Sequence, residues 1–168
     1  MIKRLESAHL DAAARLWLDA NREAHDFIPR EYWEKNFIYV KGMLPEAEVY
    51  VYVDESETLR GFIGLNGEHI EGIFVQRGTR SKGIGKALLE FVKKRKDRLT
   101  LDVYVKNEKA VSFYEREGFQ KVKKGIDENT GEEDYFMTWN QAVGEKSHGV
   151  QSGSISRKRQ EDAGDGIG

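Results

Sequence analysis

The sequence predicts one α/β domain built on a mixed β-sheet. Three observations carry that prediction. Several short runs alternate apolar and polar side chains, the period of a strand with one buried face. Other runs space their apolar residues by three and four, the period of an amphipathic helix. One such helical run lies between two strand runs after an antiparallel series, which makes a strand–helix–strand unit with parallel strands. The 168 residues suit a single domain with its own core.

Ile2–Leu5 reads as a short opening strand. AHLDAAARLWLDANREA follows, with Leu10, Ala13, Ala14, Trp17 and Leu18 on one helical face and Ser7 as the expected N-cap. Pro29 opens a second helix, REYWEKNFIYVKGML, which Gly42 and Pro45 end. Glu48–Val53 then alternates, with Val49, Val51 and Val53 on one face. Leu59–Leu65 is the next strand, Asn66-Gly67 a hairpin turn, and Glu68–Val75 the last strand of an antiparallel meander. A helix led by Ile84 connects this strand to Leu99–Val105. Asn107–Glu117 is a shorter helix stopped by Gly118. Phe119–Ile126 and Asp134–Trp139 form a closing hairpin around Asp127–Gly131. The order is β-α-α-β-β-β-α-β-α-β-β over residues 1–140. From 141 to 168 the chain has six glycines and no aromatic residue, so this segment reads as a disordered tail.

Composition removes several function classes. A net charge of −2 argues against a general nucleic-acid binder. The absence of cysteine excludes disulfides, Cys-based metal sites and a cysteine nucleophile, and no metal cluster is visible. The charged N-terminus has no apolar signal core, and no run approaches the length of a membrane span, so a cytoplasmic protein without membrane contact is expected. The assembly is left between a monomer and a homodimer.

The segment RGTRSKGIGKALLEFV, from Arg77, places three glycines and four cations in its first ten residues. It meets a helix start, where unpaired N–H groups and the positive end of the dipole favour an anion. Gly78 and Gly83 have P-loop spacing, but Ile84-Gly85 stands where Lys and a hydroxyl residue are needed. A dinucleotide fingerprint fails at Leu88, which replaces its third small residue. The pattern that fits is Arg80-Ser81-Lys82-Gly83-Ile84-Gly85. About thirty residues on comes VYVKNEKAVSFYEREGF, a strand, an Asn, a short helix with Phe-Tyr, then Gly-Phe.

These two motifs, in this order and at this separation, resemble the GNAT acetyltransferase superfamily. The resemblance spans about Met1–Asn140, and the segment His25-Asp26-Phe27-Ile28 is similar to one in small bacterial members. It implies acetyl-CoA as the acetyl donor, its pyrophosphate held by Arg80, Ser81, Lys82, Gly83, Ile84, Gly85 and Lys86. It also implies a fourth strand splayed from the fifth, so that the backbone of Ile73, Phe74 and Val75 faces the pantetheine arm and polarises the carbonyl. Asn107 would contact the same arm, and can cap its helix as well.

Acetyl transfer to an amine needs a proton donor for the leaving thiolate and an acceptor for the ammonium proton. By the resemblance, the donor is Tyr114, whose phenol is a usable acid at neutral pH. The acceptor is Glu71, expected on the strand face of Ile73, or Asp102 on the next strand, or no single residue. His25, Tyr32 and Trp33 fall in the region that forms one wall of the acceptor site in the family; His25-Asp26 also reads as a simple turn. His69 alternates onto the face of Glu71 and, taken alone, reads as structural. The expected activity is N-acetylation of an amine, in a small molecule or a protein, by direct attack in a ternary complex. The alternative is a non-catalytic acetyl-CoA sensor.

Overall fold

The computed structural model describes residues 1–78 and 83–141. Its elements are β1 (Ile2–Arg4), a 3-10 turn (Ser7–His9), α1 (Leu10–Ala24), α2 (Arg30–Met43), a second 3-10 turn (Leu44–Glu46), β2 (Glu48–Val53), β3 (Leu59–Asn66) and β4 (His69–Val75). They continue with α3 (Ile84–Lys93), β5 (Arg98–Tyr104), α4 (Glu108–Arg116), β6 (Gln120–Ile126) and β7 (Glu133–Asn140). The strands form one seven-stranded sheet in the order β1-β2-β3-β4-β5-β7-β6. Among the described residues only β4 and β5 are parallel neighbours. The mixed α/β fold and the element order match the sequence expectation. The expected tail from 142 and the loop residues Arg80, Ser81 and Lys82 lie outside the described residues.

The alternation along each strand divides the core into two layers. Val49, Val51, Val53, Phe62 and Phe74 pack with α1 and α2 on one face. Ile63, Ile73, Val75, Leu99, Leu101 and Val103 pack with α3 and α4 on the other. The edge strand β6 is exposed along most of its length, where Lys121, Lys123 and Lys124 and a register shift after Lys121 guard it against further pairing.

Local details depart from the sequence expectation for identifiable reasons. Ser7 does not cap α1: a 3-10 turn precedes the helix, closed by reciprocal side-chain-to-backbone bonds between Glu6 and His9. Gly42 lies inside α2, and Pro45 enters the 3-10 turn that ends it. Asn66 pairs with His69, so the hairpin turns on Gly67 and Glu68 instead of on Asn66-Gly67. Gly67 takes φ 64°, the positive value a type II′ turn requires at its first central position. Gly118 does stop α4: it takes φ 97°, with Phe119 N–H bonding to Tyr114 C=O and Gly118 N–H to Glu115 C=O, a Schellman end.

Gly61 fixes how closely β3, β4 and α3 approach. A Cβ there would lie 2.9 Å from the Phe74 carbonyl oxygen and 3.1 Å from Ile84 Cγ2. A buried chain of hydrogen bonds ties α1 to α4. Asn21 Nδ2 donates to Trp17 C=O at 2.9 Å, His25 Nδ1 meets Asn21 Oδ1 at 3.1 Å, and Asn107 Nδ2 meets His25 Nε2 at 3.0 Å. Asn107 Oδ1 accepts from Ala110 N–H and so caps α4. These partners set the tautomer: His25 is neutral, with its proton on Nδ1 and Nε2 accepting from the Asn107 amide. Burial holds the His25 pKa down at about 3.

Two outcomes follow. Gly61→Ala should cost about 1–3 kcal/mol in a denaturant titration, because the obstructing atom is backbone; a loss under about 0.5 kcal/mol would show that β3 and β4 can part without penalty. His25 makes stability depend on pH. Its folded pKa lies below the unfolded value of 6.5, so between pH 6.5 and 3 the unfolded chain binds the extra proton. Its contribution is complete above pH 6.5 and is lost on acidification, at up to about 1.4 kcal/mol per pH unit. The loss between pH 6.5 and 5 should shrink in His25→Gln; an equal loss in both proteins would remove His25 as the source.

Candidate active site

The ladder between β4 and β5 has two rungs, His69↔Thr100 and Ile70↔Leu101. Beyond them the strands part. The cause is a β-bulge in β4. Its register against β3 runs Gly64↔Gly72 and then Leu65↔Ile70, skipping Glu71. An extra residue bends the bulged strand and increases its twist. Ile73, Phe74 and Val75 therefore keep β3 on one side and face a gap on the side of β5. The bulge also corrects the expectation that Glu71 shares the face of Ile73. Ile70 and Ile73, three residues apart, pack into the same cluster, so simple alternation fails across Glu71. Glu71 is half-buried.

At one end of the gap stands the N-terminus of α3. Gly83 precedes it at φ 76°, and Ala87 N–H makes a helical bond back to Gly83 C=O at 2.9 Å. The N–H groups of Ile84, Gly85 and Lys86 precede the first such bond and have no acceptor within the helix. A Cβ on Gly83 would meet nothing within 4 Å, so the positive φ and not crowding is what calls for glycine there. An anion fits there on geometry and on the helix dipole. Lys86 departs from the expected role. Its ammonium bonds both carboxylate oxygens of Glu117, at 3.1 and 3.3 Å, which raises its pKa. Lys93 donates to the Glu117 backbone carbonyl. Two lysines of α3 thus hold the end of α4, a link that sequence spacing did not reveal.

Tyr114 lies on the buried face of α4, edge-on to Phe113 at 5.3 Å and to Phe119 at 5.5 Å. Across the sheet, Leu99, Leu101 and Val103 of β5 point toward α3 and α4, while Tyr104 packs on the side of α1 and α2. Alternation places Thr100 and Asp102 on the Tyr104 face. His69 reaches both. Its Nδ1 lies 2.7 Å from Thr100 Oγ1 and its Nε2 3.3 Å from Asp102 Oδ2. Asp102 is nearly buried, and it belongs to the first β5 pair after the ladder ends.

The expected acceptor wall divides in two. Phe27 and Tyr32 are half-buried and reach the surface. His25 and Trp33 are 0% exposed, behind that surface. Trp33 is edge-on to Trp17 at 5.8 Å and to Tyr32 at 4.8 Å, while His25 is edge-on to Tyr104 at 5.0 Å and is held at both nitrogens. These two shape the wall from beneath. Asp127, which the sequence marked only as a turn residue, is buried: it accepts from the Tyr104 hydroxyl and from Asn129 N–H, and fixes the β6–β7 loop to the end of β5. No group of side chains among the described residues has the makings of a metal site. Among the same residues no helix is long and apolar enough to cross a membrane.

Comparison with known proteins agrees with this geometry. The family model described as "Acetyltransferase (GNAT) domain" matches residues 11–138. The peptidyl-lysine N-acetyltransferase YiaC of Escherichia coli (strain K12) is 32% identical over 141 residues, spanning 83% of this chain and 96% of YiaC. The peptidyl-lysine N-acetyltransferase YjaB of the same organism is 32% identical over 119 residues, 71% of this chain and 81% of YjaB. The solution structure of apo YjaB matches with a TM-score of 0.75 and 28% identity, covering 84% of this chain and 98% of that one. The PaiA N-acetyltransferase of Thermoplasma acidophilum, solved in complex with coenzyme A, shares the fold at a TM-score of 0.68 and 22% identity, covering 83% and 98%. The parted strands, the glycine-led helix and the tyrosine helix thus occur in the setting that these relatives share: the chain belongs to the GNAT acetyltransferase family and is an acyltransferase.

Proposed function

We propose that the protein transfers the acetyl group of acetyl-CoA to the ε-amine of lysine in a peptide or protein. The observation that carries this reading is the gap between β4 and β5, bordered by the start of α3 at one end and by Asp102 beside the ladder. The names of YiaC and YjaB support lysine as the acceptor. Acetyl-CoA supplies the activated acyl group. The start of α3 holds its pyrophosphate by the N–H groups of Ile84, Gly85 and Lys86; Arg80, Ser81 and Lys82 precede it in the sequence. The edge of β4 at Ile73–Val75 that faces away from β3 receives the pantetheine arm, near Asn107, and directs an N–H at the thioester oxygen.

The remaining tasks are proton transfers. A lysine amine carries a proton at neutral pH and is not nucleophilic until it loses it. Asp102 takes that proton, and half-buried Glu71 at the bulge attracts the cationic side chain. Tyr32 and Phe27 line its approach, with His25 and Trp33 fixing their positions. The neutral amine then attacks directly, since the chain has no cysteine to carry the acetyl group. Tyr114 donates a proton to the departing thiolate.

Release of free thiol from acetyl-CoA, measured with a panel of lysine-containing peptides, tests the reading. Acetylated lysine with matching thiol is expected. Binding of acetyl-CoA without transfer to any amine would make the chain a sensor and overturn the enzymatic proposal. Tyr114→Phe keeps the ring packing and removes only the hydroxyl; it should lower kcat about 100-fold or more while acetyl-CoA binding stays within about threefold. Unchanged kcat would take the donor role from Tyr114.

A further inference from the structure

We propose that His69 is the proton outlet of the acceptor site, resetting Asp102 after each turnover. The inference rests on the reading of Asp102 as proton acceptor and adds a residue that the reading does not use.

Acetylation of a lysine ammonium releases a proton. The C–N bond forms and the C–S bond breaks. One ammonium proton leaves to Asp102 before attack; a second leaves the nitrogen as the amide forms and replaces the proton that Tyr114 gives to the sulfur. The departing sulfur takes up one proton, so the balance is ammonium plus thioester giving amide, thiol and one proton. That proton starts on Asp102, whose side chain is 8% exposed, beside a gap filled by substrates during reaction. Bulk water does not reach such a carboxylate freely, and a protonated Asp102 cannot accept again.

His69 supplies the route. Its side chain is 28% exposed, and its Nε2 stands 3.3 Å from Asp102 Oδ2. Thr100 Oγ1, 2.7 Å from Nδ1, holds the ring in place. The bracket depends on the last rungs of the ladder: His69 is directly opposite Thr100, and Asp102 is two residues further along β5 on the same face. The proton moves from Asp102 to Nε2, the imidazolium then releases it to water, and Asp102 is left as the carboxylate. The other charged groups near this point are Glu68, which pairs with Arg98 at 3.5 Å, and Glu71 on the same strand. Neither comes between His69 and Asp102, and Arg98 balances the charge of Glu68. Across the sheet, Thr138 and Phe136 of β7 lie beside Thr100 and Asp102 and bring no charge.

The test compares His69→Ala, His69→Gln and Asp102→Asn in the full chain, with acetyl-CoA and a lysine peptide that the wild type acetylates. Thermal midpoint and acetyl-CoA affinity serve as controls for folding. Glutamine keeps an amide near Asp102 but cannot carry a proton. Both His69 variants should lose about 10- to 100-fold in kcat, with the KM for acetyl-CoA unchanged. Added imidazole should restore His69→Ala in proportion to its concentration and leave Asp102→Asn inactive. Wild-type kcat in His69→Gln, or no imidazole rescue of a folded His69→Ala, would reduce His69 to a brace and overturn the outlet while the lysine acetylation reading stands. Full activity in Asp102→Asn would overturn Asp102 as acceptor and the outlet with it. Absence of acetyl transfer by the wild type would remove both.

Discussion

The bulge at Glu71 is the constraint on which the site depends. A parallel ladder that continued past Ile70 and Leu101 would occupy the edges of both strands with each other. The extra residue in β4 ends it after two rungs. One local irregularity therefore leaves a backbone edge facing a gap in the middle of a sheet, where a ligand can take the place of a strand. The cost in lost rungs is confined, because β4 keeps β3 along its other edge and β5 keeps β7.

The parts around that gap are held to one another by polar contacts as well as by the core. Glu117 at the end of α4 takes Lys86 and Lys93 from α3, so the helix that starts at the anion site is tied to the helix that carries Tyr114. Asn107 caps α4 and at the same time engages His25, which Asn21 holds from α1. The end of α1 and the start of α4 are therefore joined by one buried network. Burial keeps the histidine within it neutral, and its partners satisfy both ring nitrogens in that form.

The path from residues to site was legible where the determinants are local. Gly118 announced the end of α4, and it takes the positive φ that only glycine adopts freely. Gly83, ahead of α3, announced a helix start of the kind that suits an anion. Long-range pairing was not legible. His25 had the look of an acceptor-site contact or a turn residue, yet it is buried, where it meets Asn107, 82 positions away, only in the folded chain. Lys86 had the look of a phosphate ligand, but Glu117, on another helix, takes its ammonium. Glu71 was assigned a face by counting in twos, and the bulge breaks that count.

Sequence by itself determined the type and order of the elements, the helix start that suits a phosphate and the tyrosine helix, since each follows from periodicity, glycine conformation or charge within a few residues. Tertiary structure decided where β4 and β5 separate and what stands next to Asp102 there. The meeting of His69 with Thr100 and Asp102 requires two strands about thirty residues apart to lie in parallel and in one particular register. A shift of one residue in that register would turn Asp102 to the opposite face of the sheet. Register is set by the whole core on both faces, and no short stretch of the chain contains it.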